Sequence, residues 1–168
     1  MSIPAVMSPN APAAGLSGEP DRDPITPPTV RMGTPPFGAD GHGGATILIA
    51  EDHEDSRDAL RTLLDAFGYR VHVAVNGREA VERARALAPD LILMDMMMPE
   101  VDGFEATRTL RADPEFRQVP IIALTAMEGA REQVMAAGCD DFMCKPLDVR
   151  AFLDRVRTWI ESGRPAAS

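Results

Sequence analysis

Five side chains suited to phosphoryl chemistry recur at one kind of place in this sequence. Glu51, Asp52, Asp95, Thr125 and Lys145 each end or closely follow a short apolar run. Singly, each has an ordinary explanation, since Asp52 could cap a helix and acids are common where strands stop. Together they imply a site. Two carboxylates about 4 Å apart repel by about 4 kcal/mol at an effective dielectric of about 20. A fold that gathers three of them must therefore raise their pKa values or bind a cation. Oxygen donors without Cys or clustered His select Mg2+ over zinc or copper. Lys145 is a compact point charge suited to a phosphoryl group. The Thr125 hydroxyl can donate to a second phosphoryl oxygen, and a carboxylate can itself accept the group as an acyl phosphate. Asp95, on what reads as a central strand, is the expected nucleophile, with the other residues holding metal and charge.

Something must carry these residues to one place. From Ala45 onward the pattern alternates between strand and helix. TILIA (46–50), RVHVAV (70–75), DLILMD (90–95), VPIIALT (119–125) and DFMC (141–144) read as strands. Between them, Leu60, Leu63, Leu64 and Phe67 fall at helical spacing, and Gly68 stops that helix. Asn76-Gly77 turns the chain into a helix over 77–88, with Ala80, Val81, Ala84 and Leu87 on one face and Pro89 ending it. A third helix is expected over 103–111, and a fourth over about 131–137, ending at Gly138. The fifth, over 148–161, is expected to bury Phe152, Val156, Trp159 and Ile160. Strands alternating with helices imply βαβ units and a parallel sheet covered on both faces, an α/β doubly wound fold. Right-handed crossovers then place every strand C-terminus on one edge, where ligands of such sheets bind.

Several segments now resemble a known family. Ile49-Ala50-Glu51-Asp52, PDLILMDMMMPEVDG (89–103), ALTA (123–126) and AGCDDFMCKPLD (137–148) are similar, in order and spacing, to the receiver domains of two-component response regulators. The likeness covers about residues 45–163. It implies a flavodoxin-like strand order 2-1-3-4-5, which the handedness of the crossovers alone does not fix. It further implies that Asp95 takes a phosphoryl group from a phosphohistidine of a sensor histidine kinase or histidine phosphotransfer protein. Mg2+ would be held by Asp52, by Asp95, by Glu51 directly or through water, and by the backbone carbonyl of Met97. Lys145 would bridge to the phosphoryl group across a cis Lys145-Pro146 bond. Thr125 and Phe142 would form the switch. The sequence departs from the family at Phe142, where Tyr is frequent, and in the span 125–145, about two residues shorter than in many relatives. Nothing after Gly163 resembles an effector domain, so the expectation is a single-domain regulator acting through protein contacts on an unknown output protein. No separate enzymatic activity is expected beyond self-catalysed phosphoryl acceptance and slow dephosphorylation.

Composition narrows the alternatives. The chain has 168 residues, a formal net charge of −9, 45% hydrophobic and 26% charged residues, which suits one soluble domain with a tail. A strongly acidic balance argues against a nucleic-acid partner. No apolar run approaches the roughly 20 residues of a membrane helix. Nothing at the N-terminus resembles a secretory signal, so a cytoplasmic location is expected. Cys139 and Cys144 are too few and too close for a disulfide framework and read as reduced, partly buried residues. Residues 1–44 hold 9 of the 15 prolines and 7 of the 13 glycines without apolar periodicity, and are expected to be a disordered arm. Residues 45–163 form the domain and 164–168 a short tail.

Other features receive plainer readings. Met96, Met97 and Met98 suggest copper(I), but adjacent residues of an extended loop point apart, so packing is expected. His53 follows the acidic pair and is read as an exposed first-turn residue. Glu54, Asp55 and Asp58 read as a solvated face that favours the helix dipole. Rival functions each lack a feature. A receiver-like module that binds partners without phosphorylation predicts a lost acceptor, lysine or acid pair. A haloacid-dehalogenase-type phosphatase needs an Asp where Met97 stands. A flavodoxin relative needs a phosphate-cradling loop where Glu51-Asp52 stands.

Overall fold

The structure is a computed structural model and describes residues 44–165. The arm expected over 1–44 therefore lies outside the described residues except for Gly44, and so do the last three residues of the expected tail. Four runs of mostly aliphatic and β-branched residues, and a fifth that reads DFMC, form strands, as apolar side chains pack on a pleated surface. These are β1 (Thr46–Ala50), β2 (Arg70–Ala74), β3 (Leu91–Asp95), β4 (Ile121–Thr125) and β5 (Asp141–Cys144). All pair in parallel in the order β2-β1-β3-β4-β5, as the resemblance implied. The connections are α1 (Glu54–Ala66), α2 (Gly77–Leu87), α3 (Gly103–Ala112), α4 (Arg131–Ala137) and α5 (Val149–Ser162), with a 3-10 turn at Pro114–Phe116 after α3. No helix among the described residues is long and apolar enough to cross a membrane.

Alternation along the central strands builds two cores. Leu48, Ala50, Ile92, Met94, Ile121 and Ala123 face α2, α3 and α4 through Ala84, Leu110 and Val134. Ile47, Ile49, Leu91, Leu93, Ile122 and Leu124 face α1 and α5 through Leu64, Phe152 and Val156. Burying one such side chain stabilises the fold by about 1.5–3 kcal/mol, so two full layers fix which strand ends meet. The expected helix faces hold in part. Leu60 and Leu64 are buried, but Phe67 lies just past α1 as its C-cap and is only half-buried. On α5, Phe152 and Val156 are buried while Trp159 and Ile160 are half-buried against the same core. Met96 and Met98 pack as expected, whereas Met97 is 56% exposed. Cys139 is buried, and desolvation pushes its thiol up to about 11, while Cys144 is exposed rather than partly buried.

Side-chain caps start three helices. Asn76 accepts from the Glu79 backbone N–H at 2.8 Å, Asp102 from Glu105 at 2.9 Å and Asp148 from Ala151 at 2.8 Å. At the opposite end of the sheet from these starts, Arg111 donates to the carbonyls of Gly138, Phe116 and Val119 and to the Asp140 carboxylate. Asp140 also accepts from the Ile121 backbone N–H and from Arg164.

Candidate functional site

Strand register carries the polar residues to a common edge. The Glu51 backbone N–H donates to the Ala74 carbonyl, Met96 to Leu124, and Lys145 to Thr125, so the ladders run one residue past the strands and lock each end. Gly103 packs against the end of β3, and a Cβ there would lie 2.2 Å from the Asp95 carbonyl oxygen. Glu51 and Thr125 are fully buried, and Asp95 is 3% exposed. Lys145 reaches in from beyond β5, across a cis Lys145-Pro146 bond. Its Nζ lies 2.6 Å from Glu51 Oε2 and 3.2 Å from Asp95 Oδ2. The other Asp95 oxygen, Oδ1, accepts from the Met97 backbone N–H at 3.0 Å.

Electrostatics separate the two acids held by one ammonium. Burial pushes the Asp95 carboxyl up, the Met97 N–H opposes this, and repulsion from Glu51 adds to it, so Asp95 stands at about 6. Burial acts upward on Glu51 as well. There the hydrogen bonds from Lys145 and from the His53 backbone, with the Lys145 charge, outweigh it and hold the carboxyl below its usual range. Desolvation acts against the Lys145 charge, but its two carboxylate partners prevail and raise its pKa.

Asp52 does not cap α1, since the N-cap position is His53 and no side chain caps that helix. Instead Asp52 Oδ1 is buried with no hydrogen-bond partner, although His53 Nδ1 lies 3.2 Å away. Donor atoms of Glu51, Asp52, His53 and Asp95 all lie within 4.8 Å of one another. Three carboxylates, only two of them paired with the ammonium and one bearing an orphaned buried oxygen, fit a hard divalent cation.

The remaining expected residues sit around this cluster. The Thr125 hydroxyl oxygen accepts from the Met127 backbone N–H at 3.0 Å. Phe142 is half-buried on β5 opposite Ala123, beneath the Arg131 guanidinium, whose carbon is 5.7 Å from the ring centre. Met97 adjoins Asp95 through its backbone while its side chain faces solvent. His53 is exposed, as expected, yet stands against both acids of the pair. Arg57 was missed by sequence reasoning. One turn into α1, its Nη1 donates to the carbonyls of Glu51 at 3.2 Å and Asp52 at 3.4 Å and braces the acidic loop. A lone basic residue five positions after Asp52, amid acids, was the available signal.

The family model for the response regulator receiver domain matches residues 47–157. The chain belongs to that family. Among curated relatives, the receiver is 39% identical to the polar-differentiation response regulator DivK of Brucella anthropi over 117 residues, 68% of this chain and 95% of that one. Among solved structures it resembles the receiver domain of a Pseudomonas aeruginosa PAO1 sensor histidine kinase, described with a magnesium ion coordinated in its active-site cleft. That likeness has a TM-score of 0.67 and 39% identity, covering 71% of this chain and 99% of that one. The Vibrio cholerae chemotaxis response regulator CheY4 is a further structural match, with TM-score 0.65 and 28% identity over 68% of this chain and 97% of that one. The receiver is thus a response regulator of phosphorelay signalling.

Proposed function

We propose that Asp95 is the phosphoacceptor of this receiver and that a phosphohistidine of a sensor kinase or phosphotransfer protein is the donor. The observation that carries this reading is the Asp95 carboxylate. It is buried and oriented at both oxygens, by Lys145 at 3.2 Å and by the Met97 N–H at 3.0 Å. An Asp95 oxygen forms the new bond to phosphorus, the bond from phosphorus to the histidine nitrogen breaks, and the imidazole leaves with the electron pair. Lys145, already between Glu51 and Asp95, offers its ammonium to the transferred group. Thr125, once its hydroxyl turns from Met127, offers a second hydrogen bond, and Phe142 follows Thr125 as the switch. Asp52, Asp95, Glu51 and the Met97 carbonyl would hold Mg2+, which supplies charge neutralisation at the phosphoryl oxygens when bound. Output passes through protein contacts.

Incubation with a small acyl-phosphate donor and Mg2+ tests the assignment. Labelling is expected in the wild type and absent in Asp95→Asn, because the amide is isosteric but a poor nucleophile. Full labelling of that variant at another residue would sink the assignment. The phosphorylation-independent reading gains no support from a site in which acceptor, lysine and acid pair are all present.

A further inference from the structure

Building on the reading of the acidic corner as a divalent-cation site, we propose that His53 supplies a nitrogen ligand there, so that the site prefers a first-row transition cation such as Mn2+ or Ni2+ to Mg2+. Nothing in the helix asks for a histidine at this position, since His53 occupies the N-cap of α1 without a capping hydrogen bond from its side chain. The imidazole turns instead toward the acids. Its Nδ1 lies 3.3 Å from Glu51 Oε1 and 3.2 Å from Asp52 Oδ1. Ligands on adjacent corners of an octahedron with bonds of about 2.1 Å sit about 3.0 Å apart. The two observed spacings are therefore within a few tenths of an ångström of those between neighbouring ligands.

The carboxylate oxygens divide in the same sense. Glu51 Oε2 and Asp95 Oδ2 face the Lys145 ammonium, while Glu51 Oε1 faces His53. The orphaned Asp52 Oδ1 also lies on the imidazole side. The ammonium thus does not compete for the donors that His53 joins. Ligand chemistry sets the preference. Mg2+ gains little from a nitrogen donor, whereas affinity for imidazole rises along the series Mn2+, Co2+, Ni2+. One nitrogen among oxygens leaves Mg2+ able to bind and tilts the ratio.

The test uses the full chain without phosphodonor, titrated separately with Mg2+ and Ni2+ by calorimetry at fixed neutral pH. His53→Ala and His53→Gln are each expected to weaken Ni2+ binding about tenfold or more, the usual loss when a ligand or its support is removed. Mg2+ affinity should stay within about twofold, because oxygen donors carry it. Asp52→Asn should weaken both cations, which places the measured binding at this corner rather than at His42 or His72. Pulsed electron paramagnetic resonance of bound Mn2+ should show a nitrogen coupling that vanishes in His53→Ala. An unchanged Ni2+ to Mg2+ ratio in the His53 variants, or no such coupling in the wild type, overturns the proposal while the Mg2+ site stands. Failure of the wild type to bind any of the three cations overturns the cation-site reading as well.

Discussion

Lys145 holds two buried acids with one ammonium, and the pH dependence of stability follows from how unequally it serves them. The Asp95 carboxyl moves from 3.8 when unfolded to about 6 in the fold. A raised carboxyl pKa favours the protonated folded form, so stability is withdrawn as pH rises from about 4 to about 6 and stays withdrawn above that. The full penalty is on the order of 2–3 kcal/mol. Glu51 moves the opposite way, and its contribution is present above its ordinary value of 4.5 and lost as pH falls. In metal-free solution at pH 8, Asp95→Asn should therefore melt several degrees above the wild type, and at pH 4 the difference should nearly vanish. Equal melting temperatures at both pH values would show that Asp95 is not the strained carboxyl. Under the proposed function, phosphoryl lifetime is also expected to depend on single side chains. Met97 is exposed beside Asp95, and half-buried Met127 follows Thr125 by two positions. Neither can orient or deprotonate a water in line with the acyl phosphate. Slow decay of the phosphorylated receiver is expected, and faster decay in Met97→Asn and Met127→Glu. A wild type that decays as fast as these variants would remove water positioning as the controlling factor.

At the scale of elements, close approach matters more than propensity. Gly103 opens α3 against the end of β3, and its backbone N–H donates to the Met96 carbonyl at 3.2 Å. A methyl group there meets backbone at 2.2 Å and must displace the strand end that aims Asp95. Gly103→Ala should cost about 1–3 kcal/mol as overpacking and slow phosphorylation at saturating donor. Labelling at the wild-type rate would mean that the strand end tolerates the shift. The strands were legible because their apolar runs are short and bounded by acids, Pro or Gly, and the site was legible because its residues end those runs. What sequence left hidden depended on distance across the fold. Arg57 acts on carbonyls five and six residues back. Glu51 was placed with the metal ligands, yet its shortest contact is an ion pair to a residue 94 positions away. Trp159 is a further case, since helical spacing places it on the inner face but does not reveal that its indole N–H donates to Asp141.

For the whole molecule, the two cores and the ladders described above are built from residues within 44–165, which frames a test of what the preceding segment contributes. Its sequence offers no periodic apolar face, so removal of residues 1–44 should shift the melting temperature by no more than about 2 °C. A larger loss would mean that the segment packs on the domain. A different consequence follows from the Arg111 network. One guanidinium binds the end of α4, the approach to β4 and the approach to β5, and Asp140 ties in the start of β4 and Arg164. If the proposed switch operates, that end of the molecule is expected to act as a fulcrum. If Thr125, at the opposite end, moves on phosphorylation as proposed above, α4 is expected to swing about Gly138, as a lever pinned at its tail. Displacement would then be larger at its N-terminal end, near Arg131 and buried Ala130. Hydrogen exchange on phosphorylation should accordingly change at amides 126–131 and stay constant at 138–140. Uniform change along both stretches would mean that α4 translates as a block.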